Sequence, residues 1–235
     1  MKFIIKNILI ICLFCCASSL NAQHTFPYKN PLLPTEERVN DLLNRMTLQE
    51  KIAQISHLQS WDVFDGQKLN TAKLAKMCGD KGYGFFEGFP LTAAQCRKNF
   101  RIIQTYLLEQ TRLGIPGFSV AESLHGVVHE GSTIYPQNIA IGSTFNPALA
   151  YEMTKHIAGE LNTIGVKQVL APCIDVAREL RWGRVEESFS EDPFLCARMA
   201  VAEVKGYMDH GISPMAKHYG CLLYTSPSPR DGLLS

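Results

Sequence analysis

Five residues of chemically useful type stand at the ends of short apolar runs. Glu122 follows Ile115 to Ala121, Asp175 and Arg178 lie around the end of Val169 to Val176, and Lys217 and His218 follow the run that opens at Ile212. A carboxylate accepts hydrogen bonds from two adjacent hydroxyls, while lysine or arginine donates to hydroxyl oxygens and keeps its charge. Such a set suits a ligand rich in hydroxyl groups, provided the chain folds so that the run ends converge.

The elements between the runs supply that condition. Each run is apolar throughout, as expected of a strand buried on both faces. Thr92 and Gln95 form a capping box ahead of Cys96, Phe100, Ile103 and Leu107, whose spacing puts them on one helical face. Asn146 and Pro147 open a second helix carrying Leu149, Met153, Ile157 and Leu161 and ending at Gly165, and Asp192 and Pro193 open a third through Leu195, Met199 and Ala202 toward Gly211. Thr47 and Glu50 repeat the capping box before Ile52 and Ile55, and residues 23–34, with Pro27, Pro31 and Pro34, read as an extended entry arm. Strand, loop and capped helix in alternation predict a parallel α/β architecture, in which ligands bind at the carboxyl ends of the strands.

Five stretches carry a family resemblance: Met46 to Gln54 (MTLQEKIAQ), Leu113 to Gly126 (LGIPGFSVAESLHG), Tyr135 to Pro147 (YPQNIAIGSTFNP), Ala171 to Pro193 (APCIDVARELRWGRVEESFSEDP) and Lys217 to Gly220 (KHYG). In this order they resemble the N-terminal barrel domain of family 3 glycoside hydrolases, the β-glucosidase and β-xylosidase family, over about residues 25–220. The resemblance implies an incomplete (β/α)8 TIM-type barrel over residues 35–220. It also implies a retaining glycosidase that removes terminal β-linked sugars from oligosaccharides, with no cofactor and no metal. Glu122, Arg184, Lys217 and His218 are the implied substrate-binding residues. Glu122 directly ahead of SLHG is more similar to the xylosidase side of the family, and a hexosaminidase branch resembles the chain less because it lacks the RWGR stretch. In the family the nucleophile is an aspartate on a later barrel strand and the acid/base follows it, so no catalytic residue is assigned to this chain. A non-catalytic, exported carbohydrate-binding protein is the alternative. Arg184 with Glu187 also reads as a structural ion pair, Trp182 as either a sugar platform or a packed loop aromatic, His125 as a residue that holds its loop, and His129, His156 and His210 as surface histidines.

The ends of the chain read differently from its middle. Lys2 and Lys6, the apolar run Ile8 to Ala17 and a small residue before Gln23 make residues 1–22 a secretory signal, too short to span a bilayer. A periplasmic or secreted protein is expected, with Cys15 and Cys16 leaving lipidation open as the alternative. Without Lys2 and Lys6 the chain carries 21 basic and 22 acidic residues, a balance that gives no electrostatic case for nucleic acid. With hydrophobic residues at 46% and charged ones at 19%, the 235 residues can bury a sizeable core. Cys78, Cys96, Cys173 and Cys196 lack paired metal-ligand spacing and read as packed thiols. Cys221 to Asp231 resembles the conceptual translation of a transposase sequencing adapter, so residues 221–235 are expected to be a non-native tail. A barrel lacking later strands exposes parallel edges, so the 235-residue chain alone is expected to be poorly folded and inactive.

Overall fold

The computed structural model describes residues 26–87 and 92–222; the expected signal and all but two residues of the expected tail lie outside them. The chain divides into two compact units, residues 1–52 and 53–235. In the first, the expected extended arm contains a single 3-10 turn at Pro27–Lys29, followed by helix α1, Thr35–Arg45. Asp41 of α1 ties the two together, accepting from the Tyr28 amide at 3.2 Å and from Arg45 at 2.9 Å. Helix α2, Leu48–Gln54, starts where the capping box predicts. The Thr47 amide donates to Glu50 Oε2 at 2.8 Å, and the Glu50 amide returns a bond to Thr47 Oγ1 at 3.2 Å. The helix ends before Ile55, which is exposed rather than packed.

The second unit is built from short strands and amphipathic helices in alternation. Strand β1 (His57–Leu58) is followed by helix α3 (Ser60–Val63), an antiparallel hairpin of β2 (Phe64–Asp65) and β3 (Lys68–Leu69), and helix α4 (Thr71–Cys78). Next come β4 (Phe85–Glu87), α5 (Ala93–Glu109), β5 (Phe118–Ala121), α6 (Asn138–Gly142), α7 (Pro147–Ile164), β6 (Gln168–Val169), a 3-10 turn at Val185–Glu187, α8 (Pro193–Met208) and β7 (Ser213–Pro214). Outside the hairpin the strands form one parallel sheet in the order β1-β4-β5-β6-β7. Spatial order follows chain order, so every crossover steps to the same side. With crossovers of one hand the helices then cover a single face and the sheet curls toward a barrel instead of a doubly wound layer. The architecture is thus the expected α/β one, a partial TIM-type barrel.

The two faces of the sheet differ. Phe86 is fully buried and meets Phe100 of α5 edge-on at 5.4 Å, which marks the helix-covered face. Phe85 and Phe118, paired in register, stack at 5.8 Å on the opposite, inner face. Helix α5 buries Cys96, Phe100, Ile103 and Leu107 as its spacing predicts, between a complete Thr92–Gln95 capping box and Gln110. Asn146 and Asp192 cap α7 and α8 through their side chains, also as predicted. These two helices approach so closely that a Cβ on Gly206 would lie 1.9 Å from Thr154 Oγ1. The packed cysteines are as expected: Cys78, Cys96, Cys173 and Cys196 are all buried.

The strands are shorter than the apolar runs that announced them. The run from Ile115 becomes strand only at Phe118, because Pro116 has no amide to donate and Gly117 is tied instead to the Gln104 side chain. Val169 to Val176 pairs at Gln168–Val169 and then, past Pro172, again through a bridge between Cys173 and Lys217.

Candidate functional site

The bridge between Cys173 and Lys217 prolongs the β6–β7 pairing beyond the regular strands and places both run ends side by side. The Lys217 amide donates to Pro172 O at 2.9 Å, and the Ile174 amide donates to Lys217 O at 2.6 Å. From this anchored backbone the Lys217 ammonium reaches Glu122, just beyond β5, contacting Oε1 at 3.1 Å and Oε2 at 2.9 Å. The lysine side chain is 13% exposed and the glutamate 51%, so the cation is largely covered while the carboxylate opens outward.

His218, the next residue, turns to Asp175. Its Nδ1 lies 2.7 Å from Asp175 Oδ2, and that carboxylate also accepts from the Cys173 thiol at 3.1 Å and from the Leu222 amide at 2.8 Å. Burial raises the Asp175 carboxyl, but hydrogen bonds from His218, Cys173, Cys221 and Leu222 more than offset it and hold the group below its ordinary value. An ionised Asp175 calls for a proton on His218 Nδ1. Arg184 Nη1 stands 3.5 Å from His218 Nε2. The rest of the guanidinium forms a two-pronged pair with Glu187, at 2.7 Å from Nε and 2.5 Å from Nη2. Both readings of Arg184 therefore hold in part: it is ion-paired within its loop, and it is aimed at His218.

Glu122, Lys217, His218 and Arg184 thus form two linked pairs at the carboxyl ends of the strands. Arg178 is exposed. His125 holds its loop: Nδ1 meets Tyr135 O at 2.9 Å, and the Tyr135 amide returns to His125 O at 2.7 Å. Gly126 completes that clamp by bridging to Ile134 at a φ of +126°, where a Cβ would lie 2.3 Å from Thr133 O.

Two acids matter more here than their sequence context suggests. Asp175 orients His218. Glu87, unremarked by spacing or motif, ends β4 in register with Val120. Burial, and then the charge of Glu122, push its carboxyl above the ordinary value. The usable signal was its position, an acid closing a short apolar run after Gly84, the same pattern that exposes Glu122. Cys173, Asp175 and His218 also offer ligand atoms within 4.8 Å of one another and are the residues that could hold a metal. Burial, then the hydrogen bond with Asp175, push the Cys173 thiol up to about 12, and the thiol donates to Asp175. No helix among the described residues is long and apolar enough to cross a membrane.

A parallel segment that curls toward a barrel belongs to the α/β-barrel class, and its strand-end side chains lie where active sites of that class sit. Residues 47–222 match the model of the glycosyl hydrolase family 3 N terminal domain, and the chain belongs to that family. It is 32% identical over 209 residues to a putative β-xylosidase of Formosa agariphila, covering 82% of this chain and 27% of that protein. It is 29% identical over 210 residues to β-glucosidase C of Emericella nidulans, covering 82% and 34%. Among solved structures, a β-glucosidase from Erythrobacter marinus superposes with a TM-score of 0.72 at 27% identity, over 84% of this chain and 27% of that one. A Listeria innocua β-glucosidase in complex with glucose gives 0.64 at 29% identity, over 78% and 26%. The chain therefore spans about a quarter to a third of the length of these relatives.

Proposed function

We propose that this chain supplies the sugar-gripping part of a retaining glycoside hydrolase that removes terminal β-linked xylose or glucose from oligosaccharides, and that residues 1–22 direct the protein to the periplasm or the exterior. The observation that carries the reading is the Lys217–Glu122 pair, which spans from the end of β7 past β6 to the end of β5, beside the Arg184–His218 pair. Glu122, half exposed, accepts hydrogen bonds from two sugar hydroxyls. Lys217 donates to a hydroxyl oxygen while paired with Glu122. His218, held by Asp175, and Arg184 contact a further hydroxyl. Contacts of this kind strengthen as the sugar ring takes on oxocarbenium character, which contributes several kcal/mol in such reactions. Membership of the family and the names of the relatives, β-xylosidases and β-glucosidases, support the reaction class. Glu122 directly ahead of the SLHG stretch favours xylose.

Retention needs a second pair of carboxyl groups about 5 Å apart, a nucleophile and an acid/base. We assign both to the remainder of the longer protein, so this chain alone is inactive. The test measures xylose and glucose binding calorimetrically for the chain and for Lys217→Ala, together with turnover of an aryl β-xyloside. Where the chain melts cooperatively, binding weakened by the substitution and without turnover is expected; a chain that does not fold moves the same measurement to the protein with its barrel completed. Hydrolysis by the chain at a rate comparable with that of full-length relatives refutes its inactivity. Failure of a cooperatively folded chain to bind either sugar refutes the grip itself. Binding that persists without turnover once the remaining barrel is restored favours a non-catalytic carbohydrate-binding protein.

A further inference from the structure

We propose that Glu87 is a second sugar-gripping carboxylate, acting with Glu122 across adjacent strands to accept hydroxyls of the terminal sugar; this rests on the sugar-site reading above. The placement comes from register. Glu87 is the last residue of β4 and its Cα partner on β5 is Val120. Paired residues of neighbouring strands share a face, and so do residues two apart on one strand. Glu87 and Val120 therefore point to one side, the inner side marked one step down by the Phe85–Phe118 stack, and Glu122 follows directly after β5, near enough for its charge to act on Glu87. Both carboxylates also border a cavity of about 230 Å³ that reaches between the sheet and the helices, where Phe100 and Ile164 wall it, and His129 and Cys96 are the other titratable groups on its lining.

Charge gives the second argument. Lys217 neutralises Glu122, whereas Glu87 has no ion-pair partner among the described residues. A half-buried carboxylate beside another carboxylate is unfavourable unless donors reach it. Hydroxyl groups are such donors, and they add no charge to a site where Lys217 already provides the cation. Because burial and the neighbouring Glu122 raise the Glu87 carboxyl, its accepting form is lost at a higher pH than an ordinary glutamate would lose it.

The experiment measures the affinity of the full chain for xylose and for glucose at about pH 5 and about pH 7.5, for the wild type, Glu87→Gln, Glu87→Asp and Lys217→Ala, with a thermal melt of each. The loss of a hydrogen bond to a charged acceptor predicts roughly tenfold weaker binding for Glu87→Gln at the higher pH. The wild type weakens on going to the lower pH, Glu87→Gln responds less, and Glu87→Asp recovers part of the affinity. A Glu87→Gln variant that binds like the wild type with the same pH response, while Lys217→Ala is impaired, overturns the role of Glu87 and leaves the sugar site standing. A wild-type chain that melts cooperatively and binds neither sugar overturns the sugar site and this inference with it.

Discussion

Replacing Glu203 by glutamine should remove a pH-dependent instability built into α8. Glu203 has no solvent exposure, and neither carboxylate oxygen has a hydrogen-bond partner among the described residues. One turn later Tyr207 is equally buried and donates its hydroxyl to Ser123 O at 2.8 Å instead. Burial pushes the Glu203 carboxyl from 4.5 up to about 8. The unfolded chain gives up this proton near 4.5 and the folded chain holds it to about 8, so between those values the folded state binds more protons and stability falls as pH rises. Below 4.5 there is no penalty, and above about 8 it is complete. Each tenfold mismatch in proton affinity corresponds to about 1.4 kcal/mol, which sets a ceiling on the order of 5 kcal/mol, roughly 3 to 4 of it between about pH 5 and pH 8. Against a typical domain stability of about 5–15 kcal/mol this is large enough to resolve. Urea unfolding of the wild type and Glu203→Gln at about pH 5, 6.5 and 8 should show the wild type losing stability steeply and the variant losing roughly 3 kcal/mol less over the same interval. Parallel pH dependences for the two proteins would refute the reasoning, because they would mean that Glu203 does not titrate differently on folding.

Three further substitutions test the scaffold around the site. Asp175→Asn removes the charged acceptor that holds His218 and Cys173, and should cost about 1.5–3 kcal/mol in urea unfolding while weakening sugar binding, with Lys217→Ala as the comparison for a direct contact. Thr92→Ala deletes one half of the α5 capping box, and a loss of about 1 kcal/mol is expected from the shift in urea midpoint. Gly206→Leu forces a side chain against Thr154 Oγ1 and the Tyr151 carbonyl, so α7 and α8 must separate. A loss of about 1–3 kcal/mol is expected from overpacking, and Thr154→Ala in the same chain should recover only part of it because the carbonyl remains.

What the sequence makes legible follows the range of the interactions involved. Helix starts at Thr92, Asn146 and Asp192 are written within three or four residues, since a cap side chain bonds the amides of the next turn. Strand ends are set by a partner far away in the chain, so Val169 to Val176 reads as one strand but pairs in two places, and β4 is too short to show any period. The site divides along the same line. Strand-end position is a local pattern and exposes Glu122, Lys217 and His218, whereas charge compensation is not local. Lys217 reaches Glu122 across 95 residues and His218 reaches Asp175 across 43. Glu87 was missed for the same reason: its neighbour Glu122 is close only through register. In each case the identity of the residue is local and its charged partner is tertiary. On the proposed reading, a sugar hydroxyl meets a Lys217–Glu122 pair whose lysine backbone is anchored by the Cys173–Lys217 bridge. Its binding therefore costs little reorganisation, which is the condition under which a few hydrogen bonds to charged groups can hold one sugar in one orientation.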